Sequence, residues 1–187
     1  ATPIETMINH ETSELAIQDL VVPAENVVGE EGKGFYHILD GMNAERILVS
    51  SECIGDSYWF IEKSVEYAKQ RIVFDRKIGE NQGVQFPVAD AYLKVRAADL
   101  MRYKAAARFD QRKECGEEAN SAKLLASEAL SKAADVAMTT YGGYGLAISS
   151  DIERKFRESR LYLIAPVTNN LILSFIGTHV LDMPRTF

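Results

Sequence analysis

One stretch of helical periodicity constrains this chain more than any other feature. Between residues 34 and 71 apolar side chains recur at helical spacing, at Ile38, Met42, Leu48, Val49, Ile54, Ile61 and Val65. That stripe predicts a long amphipathic helix with one face turned to other helices. Glu45 falls inside the stripe. Its neighbours three and four positions away are Gly41, Met42, Leu48 and Val49, none of which pairs with a carboxylate. Two readings fit. A carboxylate in apolar surroundings has a raised pKa and is a candidate proton acceptor. Alternatively, Glu45 lies at the stripe edge, or is held by Arg46 or by a cation from elsewhere.

The remaining segments extend the helical theme. Residues 14–22 alternate imperfectly through Leu15, Ile17, Leu20, Val21 and Val22 and read as one strand, closed by Pro23. A single strand is not stable in water, and nothing later reads as a sheet, so its partner is expected upstream of this chain. A loop rich in glycine and glutamate spans 27–34. Helices are predicted over 35–70, 84–114 and 117–141, with a polar loop at 74–81. Pro87 is placed in the first turn of the second helix, and Gly116 is read as its stop. The third helix is alanine-rich, as close packing between helices requires. A short helix is expected near Ser150, where Ser150 and Glu153 have capping-box spacing, and a last one over 166–181 with Pro166 as its first residue. Three long helices and a shorter one predict an all-α fold, an antiparallel four-helix bundle with a short N-terminal strand remnant.

Composition narrows the function classes. The chain has 187 residues, enough for one domain with a proper core. A net charge of −6 argues against an electrostatic grip on nucleic acid or anionic membrane. Two cysteines in no motif, Cys53 and Cys115, argue against a disulfide scaffold and suit a reducing cytoplasm. The apolar run at 171–175 is too short to span a bilayer, and the N-terminus lacks a signal-peptide pattern. The first residue is Ala1, and the chain reads as a piece of a longer protein.

Few motifs stand out singly. A carboxylate-bridged di-iron site needs Glu-x-x-His pairs, and the residues three before His10, His37 and His179 are Met7, Gly34 and Ile176. No zinc spacing occurs, so no metal is expected. Arg71 and Phe74 at the end of the first helix, with Gln82 after the loop, read either as a helix end complemented by a cation or as an anion clamp beside an aromatic. Gly142-Gly143-Tyr144-Gly145 follows a helix, so it is no dinucleotide fingerprint. It reads as a cap and turn, or as backbone left bare for a ligand. Glu153 with Arg157, and Arg154 with Glu158, have the spacing of helical ion pairs.

The order of these signals is more specific than any one of them. Val22-Pro23-Ala24-Glu25-Asn26, then Gly29-Glu30-Glu31-Gly32-Lys33-Gly34-Phe35, then Asn43-Ala44-Glu45-Arg46, resembles the acyl-CoA dehydrogenase family. So do Gln70-Arg71 with Phe74, Gln82, the turn at 141–145, and Glu153-Arg154 with Arg157-Glu158. The resemblance runs over essentially the whole chain. It implies that residues 1–30 are the tail of a middle β-barrel domain and linker, and that 31–187 form the C-terminal helical bundle. It implies FAD between barrel and bundle, an acyl-CoA substrate, an electron-transfer flavoprotein as acceptor, and a homodimer or homotetramer in the cytoplasm, or in the mitochondrial matrix of a eukaryote. By the same resemblance Arg71 and Phe74 hold the FAD diphosphate and adenosine across a dimer, and Gln82 is another FAD-side position. Gly142 and Gly143 approach the diphosphate, Thr168 and Asn170 meet FAD, and Arg46 lines the acyl-CoA site.

The departures from the family pattern decide which residue is the base. The usual catalytic glutamate lies in a Tyr-Glu-Gly-Thr string, which here reads Ala165-Pro166-Val167-Thr168. Long- and branched-chain members instead carry the base in a Glu-Arg pair on the first bundle helix, and Glu45-Arg46 matches it. Glu45 is thus expected to remove the α-proton. Pro166 also lacks the N–H that in the family helps bind the thioester oxygen, a loss typically worth about 10²–10³ in rate. Asp75 stands where glycine usually follows the phenylalanine, and Thr139 where glutamine is common. The expected activity of the whole protein is oxidation of an acyl-CoA to the 2,3-enoyl-CoA, with this piece inactive alone. The alternatives are an acyl-CoA oxidase or flavin monooxygenase on the same fold, or a non-catalytic helical assembly domain.

Overall fold

A computed structural model describes residues 1–8 and 12–185, apart from the side chain of Asp40; His10 lies outside them. Three long helices dominate: α1 (Gly34–Gln70), α2 (Gln82–Asp110) and α3 (Gly116–Tyr141). Two short ones follow, α4 (Ile152–Ser159) and α5 (Asn169–Phe175), the latter continued by a π-helical turn at Ile176–Val180. Two small antiparallel strand pairs and several short 3-10 turns accompany them. Strand β1 (Thr2–Ile4) pairs with β2 (Thr12–Glu14), and β3 (Ile72–Val73) with β4 (Arg76–Lys77).

Side-chain contacts fix the helix directions. Tyr58 of α1 lies 6.5 Å from Tyr92 of α2, and Arg102 of α2 reaches back to Ser51 of α1 at 3.5 Å, so the two run antiparallel. Lys104 and Arg108 at the end of α2 meet Glu118 at the start of α3, at 3.3 and 3.2 Å. The Tyr141 hydroxyl donates to the Lys63 carbonyl at 3.3 Å, which sets α3 parallel to α1. Helix α4 is tied to α1 where Lys155 pairs with Asp56 and lies 5.2 Å from the Trp59 ring.

Small side chains pack the centre. Ser50, Ser57 and Ser64 are fully buried at seven-residue spacing on α1. Each hydroxyl donates to the carbonyl four residues before it, at Arg46, Cys53 and Phe60, so none is left unsatisfied in the core. Helix α3 contributes Ala122, Ala126, Ala129, Ala133, Ala134 and Ala137, all buried. Larger side chains, Phe60, Val95, Leu130 and Ile152, fill the remaining volume.

Several local expectations are corrected. Residues 15–22 form no strand; they are exposed and irregular, and the pairing lies earlier, between β1 and β2. The β3–β4 hairpin occupies the start of the expected polar loop. Helix α2 ends at Asp110, because the left-handed turn is taken by Arg112 at φ 54, and Gly116 opens α3 instead of stopping α2. Pro87 is the sixth residue of α2 and so lies beyond its first turn. The cap of α4 is Asp151 at φ 57, whose carboxylate caps no backbone N–H and pairs with the Arg154 side chain at 3.2 Å instead. Ser150 Oγ accepts weakly from Ile152 N at 3.4 Å, and Glu153 pairs with Arg157 at 2.9 Å instead of closing a capping box. Arg154 pairs with Glu158 at 2.9 Å, as its spacing predicts. Pro166 precedes the last helix instead of starting it, and Thr168 caps α5 by accepting from Leu171 N at 3.3 Å.

Candidate functional site

The residues singled out in the sequence fall into two groups at opposite ends of the bundle. Glu45, Arg46, Thr168 and Asn170 belong to the end where α1 and α3 begin. Arg71, Phe74, Gln82, Gly142 and Gly143 belong to the other. Arg46 and Arg71 are 25 positions apart, roughly 38 Å along α1. One chain therefore does not bring the two groups together.

Glu45 is exposed, which favours the stripe-edge reading over burial among apolar side chains. The buried side of α1 runs through Ile47, Ser50, Ile54 and Ile61, and Glu45 is two positions from Ile47, nearly opposite on the helix. Its own face is nevertheless apolar. Ile38, Gly41 and Leu48 lie on it at helical spacing, with Ile38 66% and Leu48 65% exposed. The carboxylate stands on a greasy surface that no described residue of this chain covers. Arg46 turns inward beside it. Its Nη1 donates to Asn43 Oδ1 at 3.1 Å, and its Nε is buried with no hydrogen-bond partner. Desolvation lowers the guanidinium pKa, against the opposing effect of Glu45.

Beneath this end lies a buried cation that the motif search passed over. Lys123 of α3 is fully buried, and its Nζ donates to the Val167 carbonyl and to Asn169 Oδ1, both at 2.8 Å. The Asn169 amide in turn donates to Ser127 Oγ at 3.2 Å. The Lys123 pKa lies at about 8, pushed down chiefly by burial and to a lesser degree by the nearby Arg46 charge, with Cys53 opposing. Burial pushes the Cys53 thiol up to about 12. A sign was available in the sequence: Lys123 sits between Ala119 and Ala126, at the spacing of the alanine stripe. Thr168 and Asn170 follow on the segment that Lys123 holds, Thr168 partly buried and Asn170 exposed.

At the far end the chain turns sharply. Phe74 and Asp75 form the two-residue loop of the β3–β4 hairpin, at φ 53 and φ 62. Two positive φ values are the signature of a type I′ turn, which glycine favours at its second position. The turn thrusts the Phe74 side chain into solvent, 94% exposed. Arg71 terminates α1; its N–H donates to the Tyr67 carbonyl at 2.8 Å, and its carbonyl accepts from Ile78 N at 2.9 Å. Arg76 bonds Asn81. Gln82, the first residue of α2, is exposed. Gly142 has φ 58 and ψ −137, a conformation open essentially to glycine alone. A Cβ on Gly143 meets nothing within 4 Å, so the fold does not itself require glycine there. Among the described residues no group of three His, Cys, Asp or Glu is placed to hold a metal, and no helix is long and apolar enough to cross a membrane.

Comparison with known proteins agrees with this arrangement. Residues 32–181 match the family described as acyl-CoA dehydrogenase, C-terminal domain. The chain is 34% identical over 190 residues to acyl-CoA dehydrogenase fadE12 of Mycobacterium bovis, covering 100% of this chain and 49% of that protein. Its fold superposes on butyryl-CoA dehydrogenase from Megasphaera elsdenii with a TM-score of 0.91 at 32% identity, over 96% of this chain and 48% of that one. It also superposes on the FAD complex of PigA with a TM-score of 0.93 at 26% identity, over 98% and 48% of the two chains. The chain spans about half the length of the curated relatives it matches. With its three long helices, its matched span and its relatives in agreement, the chain belongs to the acyl-CoA dehydrogenase family and carries that family's C-terminal helical domain.

Proposed function

We propose that this chain is the C-terminal part of an FAD-dependent acyl-CoA dehydrogenase that oxidises an acyl-CoA thioester to the 2,3-enoyl-CoA. On this reading residues 1–30 close a middle β-domain and 31–187 are the helical domain. The observation that carries it is the position of Glu45, a carboxylate on an uncovered apolar face beside Arg46, in a chain of this family.

The chain's own groups fit a flavin. Gly142 and Gly143 leave backbone bare, Phe74 offers an uncovered ring, and Arg71 and Gln82 stand at the same end. Thr168 and Asn170 lie on the other group's segment. The distance between the groups supports a site completed by two copies of the chain, a homodimer or a homotetramer of two such pairs. When bound, FAD supplies the two-electron acceptor for the oxidation. Glu45 takes the α-proton on its carboxylate, which gains basicity once its face is covered and water is excluded. Arg46, desolvated and cationic, lies next to that carboxylate and lines the thioester cavity. Pro166 has no N–H to offer the thioester oxygen, so another donor must serve. An electron-transfer flavoprotein then receives the electrons, as the family resemblance implies.

The test is an anaerobic titration of the full-length protein with a panel of acyl-CoAs, following the flavin absorbance. Bleaching by any of them is expected, and replacing Glu45 by Gln should abolish it while flavin stays bound. A Glu45→Gln protein that bleaches normally overturns the assignment of the base.

A further inference from the structure

A fully buried lysine with no carboxylate bonded to it is an expensive way to fill a core position. An apolar side chain would avoid the desolvation cost that Lys123 carries. What an apolar side chain cannot supply is a pair of charged donors. Both of the bonds that Lys123 Nζ makes go to one short segment, to Val167 O and Asn169 Oδ1 at 2.8 Å. That segment has few other ties. Ala165 N–H donates back to Leu161 O at 2.9 Å, Leu171 N–H donates to the Thr168 hydroxyl at 3.3 Å, and Ile172 N–H donates to the Thr168 carbonyl at 3.2 Å. Between them, among the described residues, the side-chain bonds to α3 come from Lys123 and from Ser127, which Asn169 reaches at 3.2 Å. Pro166 immediately precedes the segment, Thr168 lies within it, and Asn170 follows it.

We propose that Lys123 is a positioning residue, whose buried ammonium straps the Val167–Asn169 segment to α3 and so fixes Thr168 and Asn170 where a flavin is to meet them. The proposal rests on the functional reading above and adds to it a residue that touches neither flavin nor substrate. The strap compensates for the local chemistry of Pro166. A proline offers no N–H through which its own segment can be anchored, so the anchor comes from the donor side of a neighbouring helix. Position matters here because a shift of about 1 Å in a group that aligns reactants costs on the order of 10²-fold in rate. The proximity of Arg46, whose charge is felt at Lys123, places the strap under the same end of α1 that carries Glu45.

The experiment uses the full-length protein loaded with FAD and compares wild type with Lys123→Met and Lys123→Arg. Three quantities are read: amide exchange of the peptide covering 166–172, the dissociation constant for FAD, and the rate of flavin bleaching by butyryl-CoA. Lys123→Met is expected to speed exchange in that peptide at least tenfold, with exchange in α1 and α2 unchanged. It should also weaken FAD binding or slow bleaching at least tenfold. Lys123→Arg keeps the charge and the donors but adds bulk at a fully buried position, and should restore exchange in part, to between Lys123→Met and wild type. Unchanged exchange in Lys123→Met overturns the proposal, and so does faster exchange that leaves FAD binding and bleaching untouched. If wild type takes up no FAD, the functional reading fails instead, and the exchange arm alone then decides whether Lys123 is the strap.

Discussion

The rings of Tyr67 and Tyr141 stack face to face, 4.2 Å between centroids and 15° apart in plane, and so join the end of α1 to the end of α3. Tyr144 adds a third nearly parallel ring, 6.3 Å from each. The stack closes the bundle just before the Gly142–Gly143 turn. Tyr67→Ala should cost about 1–3 kcal/mol, from an aromatic pair worth about 0.5–1.5 plus lost burial. Tyr67→Phe keeps the ring and should cost less than about 0.5. Urea unfolding of both variants measures the difference.

Gly142 and Gly143 should separate cleanly. At φ 58, Gly142 cannot accept a side chain without strain, and Gly142→Ala should destabilise the chain by about 1–3 kcal/mol. Gly143→Ala meets open space and should leave the unfolding midpoint unchanged. If the diphosphate approaches here, the same substitution should weaken FAD binding to the full-length protein. Thermal melts with and without FAD read both effects.

Asp75 occupies a turn position that glycine fills without cost. Asp75→Gly should stabilise the β3–β4 hairpin by about 0.5–1 kcal/mol, since φ 62 is mildly unfavourable for an L-residue. It also removes a negative charge beside Phe74. Tighter FAD retention in the variant during gel filtration is the expected result.

Much of this was legible in the sequence, for identifiable reasons. The three long helices follow from uninterrupted 3.6-residue periodicity, and their limits differ from expectation by only a few residues. The turn at Arg112 escaped notice because no glycine marks it; an arginine in a left-handed conformation has no compositional signature. The strand expected at 14–22 rested on alternation alone, and alternation does not say what a strand pairs with. Glu45 was rightly placed among apolar residues, but whether it was buried or lay at the stripe edge stayed open, because a periodic pattern cannot tell a face covered by this chain from one that is not. Lys123 was missed because its role depends on carbonyl and amide acceptors about 45 residues away in sequence, which spacing does not reveal.

Lys123 and Cys53 pull in opposite directions at alkaline pH, and Cys115 and Tyr162, both pushed up by burial, act on the side of Cys53. Lys123 titrates at about 8 in the folded chain against 10.5 when unconstrained, so above pH 8 the unfolded chain binds more protons and stability rises with pH. Cys53 acts in the other direction. Its thiol keeps its proton to about 12 in the folded chain while the unfolded chain loses it near 9.0, so stability falls as pH passes 9. Urea midpoints should climb between pH 8 and 9 and then flatten or turn down. Lys123→Met should remove the climb and keep the decline.

The serine ladder of α1 has a consequence for how this domain tolerates change. Ser50, Ser57 and Ser64 already satisfy their hydroxyls within their own helix, and what they lend the buried side of α1 is clearance for the helices packed against it. Such a seam is robust to trimming and brittle to growth. An alanine at any rung removes little, whereas a single valine or leucine must wedge α1 apart from the helices packed against it. Variation on this side of α1 is therefore bounded from above by volume, and the helix would drift toward ever smaller residues long before it accepted one larger.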